Sequence, residues 1–201
     1  MGGVRTTMVA SALLLAGLAG CAGGKAQSEP VGRSVAALGE GREVRALGAV
    51  ERFVDAHAGF EIARPSGDAW QFAPGHEAPE GILVPVVVLH PATGSQVVVQ
   101  VTPEVAAPQE FAERLAVGLR SKPGFTTTVP ADGGDGSSSG FSFSLGAEVY
   151  GRVGIFSPHD GRLFVLLATW PSGAPESVVT DVDEIMASLR PFAVGSAAVD
   201  R

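Results

Sequence analysis

The chain is poor in cysteine, and among its 201 residues only Cys21 carries a thiol. A single thiol cannot form an intramolecular disulfide. Clusters of basic residues are also missing, and 14 Lys and Arg against 21 Asp and Glu give a formal net charge of -7. Nucleic acid and anionic lipid are both bound by neutralising negative charge with Lys and Arg. The composition therefore predicts no nucleic-acid partner and no direct binding of the protein surface to anionic lipid.

The N-terminal apolar run is too short to cross a membrane permanently. Residues 9–18 are apolar or small, about half of the ~20 residues that a membrane-spanning helix needs. Arg5 is the only charged residue before them and small residues follow, which predicts a secretory signal peptide over residues 1–20. A helix of the folded domain is disfavoured, because the run has no polar face and Gly23 and Gly24 would weaken its continuation.

The residues around Cys21 resemble a known export motif. Leu-Ala-Gly-Cys at 18–21 is similar to the bacterial lipobox, which implies that the signal is cut before Cys21 and that its thiol receives a diacylglycerol. Two or three acyl chains anchor a protein stably, whereas one chain is marginal. The residue after Cys21 is Ala22 and not Asp. In lipoproteins of Gram-negative bacteria, this resembles the signal for sorting to the outer membrane. The resemblance implies that the protein is exported and anchored by lipid to a bacterial membrane. In a Gram-negative bacterium this would be the outer membrane, with the protein facing the periplasm.

Composition divides the rest of the chain into a tether and one folded domain. Residues 21–46 hold the lipidated Cys21 and a stretch rich in Gly, Ala and Ser, which predicts a flexible tether. Residues 47–193 carry enough apolar side chains for one core, and their number fits a single domain. Residues 194–201 are expected to fray, and we find no internal repeat.

Several segments alternate apolar and polar residues with the period of a half-buried strand. Phe60 and Ile62 face one way, for example, and Glu61 faces the other. Residues 82–102 are typical of a hairpin whose first strand is apolar throughout, with Pro85 at an edge or a bulge. The predicted strands cover 50–55, 60–64, the segment through Trp70 and Phe72, 82–89, 95–102, 125–129, 141–145, 149–156 and the central strand 163–170. The Gly-, Asp- and Ser-rich residues 131–140 predict a loop.

Two segments have the period of an amphipathic helix. The first begins near Pro108, a residue favoured in a first turn, and its apolar stripe is Phe111, Leu115 and Leu119. The second starts after Pro175 and stops at Pro191. Its apolar face is Val178, Val182, Ile185, Met186 and Leu189. The order of strands, helix, strands and helix predicts an α+β fold, an antiparallel sheet with helices packed on it.

The order of these segments resembles the PsbP-like superfamily, which includes the Ran-binding Mog proteins and several bacterial lipoproteins. The resemblance is carried by G-F-E-I-A-R-P-S-G at 59–67, Trp70, the hairpin at 82–102, the helix at 108–120, the strands between 140 and 170, and I-M-A-S-L-R-P-F at 185–192. It covers nearly the whole folded domain. It implies an α/β/α sandwich around an antiparallel sheet, and a protein that binds other proteins or assists assemblies. It implies no shared catalytic residues, no enzyme activity and no cofactor.

The serine and acidic motifs lack the context of an active site. Residues 136–140, Gly-Ser-Ser-Ser-Gly, match G-x-S-x-G. A nucleophile elbow needs a strand before the serine and a helix after it, whereas here a loop precedes Ser138 and a strand is predicted to follow. We therefore interpret the motif as a flexible loop. Asp132 and Asp135 lack the ligand number and closing glutamate of a calcium loop, which favours a solvated turn.

The four histidines fall at predicted turns or strand ends: His57, His76, His90 and His159. None forms an i,i+4 pair on a helix, and metal sites need three or four converging ligands. His76 beside Glu77 offers two ligands, and so does His159 beside Asp160. Surface histidines without a metal are the interpretation that we favour.

Two functions of different classes follow from the sequence. One is a protein-binding or assembly module that is anchored in the cell envelope and recognises an envelope protein of unknown identity. The alternative is a small-molecule carrier or an unrecognised hydrolase. An exposed hydrophobic patch on a sheet or helix favours the first, and a deep apolar pocket with polar groups favours the second. Trp70 and Trp170 would line such a pocket, but large aromatic residues more often fill a core, the interpretation that we favour for Trp170.

Replacing Cys21 with Ser is expected to abolish lipidation, because the chain has no other thiol. The variant should stay uncleaved or be released in soluble form, whereas the native chain should fractionate with membranes. Incorporation of radiolabelled palmitate into immunoprecipitated protein measures this. Ser28→Ala is the matched control and should keep its label; label in Cys21→Ser would show that the assignment of the anchor is wrong.

Overall fold

A computed structural model describes residues 41–77 and 82–194. The predicted signal peptide, Cys21, most of the predicted tether and residues 195–201 lie outside the described residues. The strands are β1 (Arg42–Leu47), β2 (Val50–Asp55), β3 (Phe60–Pro65), β4 (Gln71–Glu77), β5 (Leu83–His90), β6 (Ser95–Pro103), β7 (Phe125–Thr127), β8 (Ala131–Asp132), β9 (Ser138–Leu145), β10 (Val149–Phe156), β11 (Arg162–Pro171) and β12 (Arg190–Pro191). The helices are α1 (Pro108–Arg120) and α2 (Glu176–Ala187).

The strands form two antiparallel sheets. The larger sheet has the order β4-β5-β6-β11-β10-β9-β7, and β8 also pairs with β9. The smaller sheet has the order β1-β2-β3-β12. The hairpin predicted over 82–102 is confirmed as β5 and β6. The predicted central strand is confirmed as β11, which lies between β6 and β10.

The larger sheet separates two hydrophobic cores, and β11 contributes to both because successive side chains of a strand point to opposite faces. Phe164 and Leu166 pack on one side with α2 and the smaller sheet. Leu163 and Val165 pack on the other side with α1. The predicted α+β fold with helices on both faces of an antiparallel sheet is thereby confirmed, and the smaller sheet adds to the layer that contains α2.

The first helix, α1, forms as its apolar period predicts. Pro108 occupies the first turn, where its missing N–H leaves no helical hydrogen bond unmade. Leu115 and Leu119 are buried against the sheet, and Phe111 is half-buried at the rim. Across the described residues, no helix is long and apolar enough to cross a membrane.

The last helix, α2, is shorter than predicted. It ends at Ala187 rather than continuing to Pro191. The Ser188 hydroxyl lies 2.8 Å from the backbone nitrogen of Ala63 and 3.1 Å from its carbonyl oxygen. This contact ties the helix end to β3, and the chain then turns so that β12 pairs with β3. Leu189 is still buried, but beyond the helix.

Pro85 lies at an irregularity in the sheet, as predicted. The register between β5 and β6 shifts between Leu83 and Val86. A proline has no N–H to complete a ladder of hydrogen bonds, so a bulge is where a strand tolerates it. Val84 packs in the α1 core and Val86 in the α2 core. Burial on both faces explains the continuous apolar run.

The tether prediction is wrong for residues 42–46, which form most of β1. This strand pairs with β2 over its whole length, from Arg42 opposite Asp55 to Leu47 opposite Val50. Its last three side chains are all exposed. An edge strand with so little burial has no apolar period, and composition therefore did not reveal it.

The loop predicted over 131–140 is also partly wrong. β8 pairs with Ser139 and Gly140, and β9 begins at Ser138. The backbone N–H of Gly133 donates to the carbonyl of Ser138 at 3.0 Å. Such pairing is made by the backbone, so a Gly- and Ser-rich composition does not exclude it.

Replacing Ile185 with Asp is expected to unfold the domain. Ile185 is 1% exposed in the α2 core, and burying an unpaired charge costs several kcal/mol, against a typical stability of about 5–15 kcal/mol. Thermal unfolding followed by circular dichroism measures the effect. Ser177→Asp, which places the same side chain on the exposed face of α2, should unfold near the native temperature. Equal curves for Ile185→Asp and the native chain would contradict the docking of α2.

Candidate functional site

Within the described residues, α2 and the smaller sheet do not extend over β9 and β7 at one end of the larger sheet. This helix packs mainly against β3, β6 and β11. Phe141 and Phe143 of β9 and Val153 of β10 point to the α1 core. Alternate positions of β9 and β10 therefore point to the α2 side, where the described part of the chain leaves β9 and β7 open.

The register of four strands aligns a row of side chains across this open end. Thr126 lies opposite Ser144, Ser144 opposite Tyr150, and Tyr150 opposite Trp170. The hydroxyls of Thr126 and Ser144 share a hydrogen bond of 2.7 Å. In the next row Arg152 lies opposite Ser142. We define the open sheet face by these side chains: Thr126, Ser142, Ser144, Tyr150, Arg152 and Trp170.

Three large side chains lie at one end of the open sheet face, and contacts hold two of them, Arg152 and Trp170, in place. The Arg152 guanidinium lies over the Trp170 ring, 5.6 Å from its centroid. Arg152 also pairs with Asp183 of α2. Tyr150 is 41% exposed, and Trp170 is partly buried against the α2 core. Tyr, Trp and Arg are the residues that most often dominate protein–protein binding energy.

The two tryptophans differ in burial, and the sequence favoured the core for Trp170 alone. Trp70 is the core residue, 1% exposed, and its Nε1–H donates to Asp181 of α2 at 2.8 Å. Trp170, expected in the core, is only half-buried. It lies where β11 reaches its end, and only one of its sides packs on the core. Hydrophobicity alone could not distinguish the two, because the difference depends on where α2 lies.

The histidines do not converge. His57 and His76 are exposed, at a turn and on β4. His90 is half-buried, with its Nδ1 2.9 Å from the Thr93 hydroxyl and its ring 5.1 Å from Trp70. His159 is exposed in the β10–β11 turn, at a φ of 58°. No group of three or more His, Cys, Asp or Glu side chains that could hold a metal ion occurs within 41–77 and 82–194.

The serines on either side of Ser138 in the G-x-S-x-G motif donate to groups other than histidine. The Ser137 hydroxyl donates to Asp135 at 2.7 Å, and the Ser139 hydroxyl donates to the side-chain oxygen of Gln109 at 2.7 Å. A strand, β9, follows where an elbow would need a helix, as predicted. The end of the motif therefore belongs to β9, between β8 and β10, and the loop interpretation holds only for residues 133–137.

Two carboxylates near the ends of β9 and β11 have lowered pKa values. A hydrogen bond from the Ser137 side chain, reinforced by its backbone N–H, lowers the pKa of Asp135. A hydrogen bond from the Arg162 side chain lowers the pKa of Asp160. Arg162 also donates to the carbonyls of Ala58 and Phe192. Both carboxylates thus stay ionised at neutral pH and act as local ties.

The cavity beneath α1 is small. It measures about 10 Å³ and is lined by Gln100, Phe111, Leu115, Leu119, Val153, Val165 and Leu167. That volume holds roughly one water molecule, whereas pockets for organic ligands measure about 300–1,000 Å³. This cavity gives no support to a small-molecule carrier.

Solved structures share this architecture. Cyanobacterial PsbP (CyanoP) from Synechocystis sp. PCC 6803 matches over 73% of this chain and 95% of its own, with a TM-score of 0.52 and 14% sequence identity. The chain has a PsbP-like fold. This confirms the fold that the resemblance implied, and at this identity it shows the fold alone.

The Ran-binding protein Mog1p of Saccharomyces cerevisiae also matches, over 67% of this chain and 94% of its own, with a TM-score of 0.45 and 14% identity. No protein-family model and no curated protein matches the chain.

The same substitution at the two tryptophans is expected to have unequal effects. Trp70→Phe removes the donor to Asp181 and should lower the free energy of unfolding by about 2 kcal/mol, since a hydrogen bond to a charged group contributes roughly that much. Trp170→Phe should lower it by less than about 1 kcal/mol, the range of an exposed cation–π contact. Urea unfolding followed by circular dichroism compares them. An equal or reversed order would contradict the assignment of Trp70 to the core.

Proposed function

We propose that this protein is a membrane-anchored lipoprotein whose domain binds another protein of the cell envelope, or assists an assembly there, through the open sheet face. The observation that carries the proposal is the group of Tyr150, Arg152 and Trp170 beside the strands β9 and β7, which the described residues leave open on this side. The lipobox resemblance at Cys21 supports the anchor. Binding rather than catalysis is the proposed role.

The chemistry of the open sheet face suits a protein partner. Ser142, Ser144 and Thr126 are small, so a partner would approach the strands closely and meet hydroxyl groups that donate and accept hydrogen bonds. Tyr150 and Trp170 offer apolar area with few rotatable bonds. Arg152 is already fixed by Trp170 and Asp183, which reduces the side-chain entropy that binding would cost.

The described residues include other exposed apolar side chains. Val105, Val117 and Val129 are 66%, 58% and 81% exposed. Val117 projects from α1, on the opposite side of the larger sheet. Singly exposed apolar residues are normal on protein surfaces. Val117 therefore provides a matched position at which no partner is expected.

Site-specific photocrosslinking in the native envelope tests the proposal. A photoreactive phenylalanine analogue at Tyr150 is expected to crosslink to one envelope protein, which mass spectrometry identifies as a chain other than this one. The same analogue at Val117 should give no such product. Arg152→Ala should reduce the product from position 150, because it removes the guanidinium that orders Trp170.

The fold and the anchor are checked separately in that experiment. Circular dichroism of Arg152→Ala should match the native chain, and membrane fractionation should be unchanged. The same products from positions 150 and 117, or none from position 150 in a folded and anchored protein, would contradict the assignment of the open sheet face.

A further inference from the structure

The edges of the two sheets differ in how they are protected against pairing with another chain. In the described residues, Pro74 lies within the edge strand β4, Pro191 lies within β12, and Pro130 lies between β7 and β8. Proline at an edge hinders further pairing, because it offers no N–H. Among the described strands, β1 is also at the end of its sheet; it contains no proline and pairs with β2 over six residues without a shift of register.

The phase of the β1–β2 ladder shows which backbone groups of β1 point outward. The backbone N–H of Ala56 donates to the carbonyl of Gly41 at 3.0 Å. In an antiparallel ladder, hydrogen-bonded pairs alternate with pairs that are not bonded. The residues that turn their backbone groups toward β2 are therefore Gly41, Glu43, Arg45 and Leu47. Those of Arg42, Val44 and Ala46 turn toward the outer edge.

Opposite charges flank Val44 on this edge. Glu43 and Arg45 lie on the same face of β1, each with a side chain 49% exposed, and they pair with one another. If a second copy of β1 lies antiparallel with its Val44 opposite Val44, Glu43 of each copy lies opposite Arg45 of the other. A shift by two residues in one direction places Glu43 opposite Glu43, and the opposite shift places Arg45 opposite Arg45. Like charges directly opposite each other are destabilising, so these charges disfavour both registers that are shifted by two residues.

We propose that β1 is a self-association edge, at which two copies of this chain pair antiparallel about Val44 and join their smaller sheets into one. The pairing is isologous, since the same strand serves both copies. Backbone hydrogen bonds and the contact between the two Val44 side chains, each half-buried against the α2 core, supply the attraction. The charges fix the register, because exposed ion pairs by themselves contribute little. β1 belongs to the smaller sheet, so this pairing leaves the open sheet face of each copy accessible.

Disulfide trapping in the full chain tests the register. A hydrogen-bonded antiparallel pair has Cα atoms about 5.5 Å apart, within the range that a disulfide bridges. Val44→Cys should therefore give a two-chain band on a non-reducing gel after mild oxidation in cells. The native chain, with Cys21 alone, should not. Ala46→Cys should not either, because residue 46 lies opposite Arg42 of the second copy. A two-chain band of equal yield from Ala46→Cys would overturn the register.

Charge reversal then tests whether Glu43 and Arg45 fix the register of the paired β1 strands. Glu43→Arg in the Val44→Cys chain should lower the trapped fraction on the order of fivefold, since two pairs of like charges become opposed. Adding Arg45→Glu restores both unlike pairs and should restore the band. Equal trapping with and without Glu43→Arg, or a band that contains a different protein, would overturn the proposal.

Sedimentation equilibrium of the full chain in detergent gives a readout that needs no cysteine substitution. The mass of two chains is expected, shifting toward one chain for Glu43→Arg and returning to two for the double reversal. A single-chain mass for the native protein at all concentrations would overturn the proposal, even if Val44→Cys disturbs folding.

Discussion

Strand β11 is buried on both faces, and the rest of the domain is arranged around that constraint. Its alternate side chains enter two separate cores, Leu163 and Val165 beside α1, and Phe164 and Leu166 beside α2. A strand without a solvent-facing side requires cover on each face. The two helices and the smaller sheet provide it, which explains why an antiparallel sheet of this size has layers on both sides.

The cover on the α2 side packs on β4, β5, β6 and β11 of the larger sheet, and specific contacts fix it there. Trp70 donates to Asp181, Ser188 contacts the backbone of Ala63, and Arg162 donates to carbonyls of the smaller sheet's turn and of the C-terminal segment. α2 therefore has one position relative to β3 and β11. The outer strands β9 and β7 stay uncovered on that side as a consequence.

Two surfaces with different chemistry result from this arrangement. The open sheet face belongs to the larger sheet and offers aromatic, guanidinium and hydroxyl groups, which suit side-chain recognition. The edge of β1 belongs to the smaller sheet and offers backbone groups with charges of alternating sign, which suit strand addition. Because the two surfaces lie on different sheets, pairing at one does not require any change at the other.

The sequence by itself determined the elements whose side chains are buried in a regular period. Both helices, the 82–102 hairpin and the central strand followed from apolar spacing, because burial leaves that record in the chain. Only the tertiary structure decided the rest. β1 and β8 are held by backbone pairing with little burial, so composition did not mark them. Trp70 and Trp170 are chemically alike, and which of them is fully buried depended on where α2 docks. The open sheet face joins residues from four strands, and no local pattern records which part of a sheet a distant helix will leave uncovered.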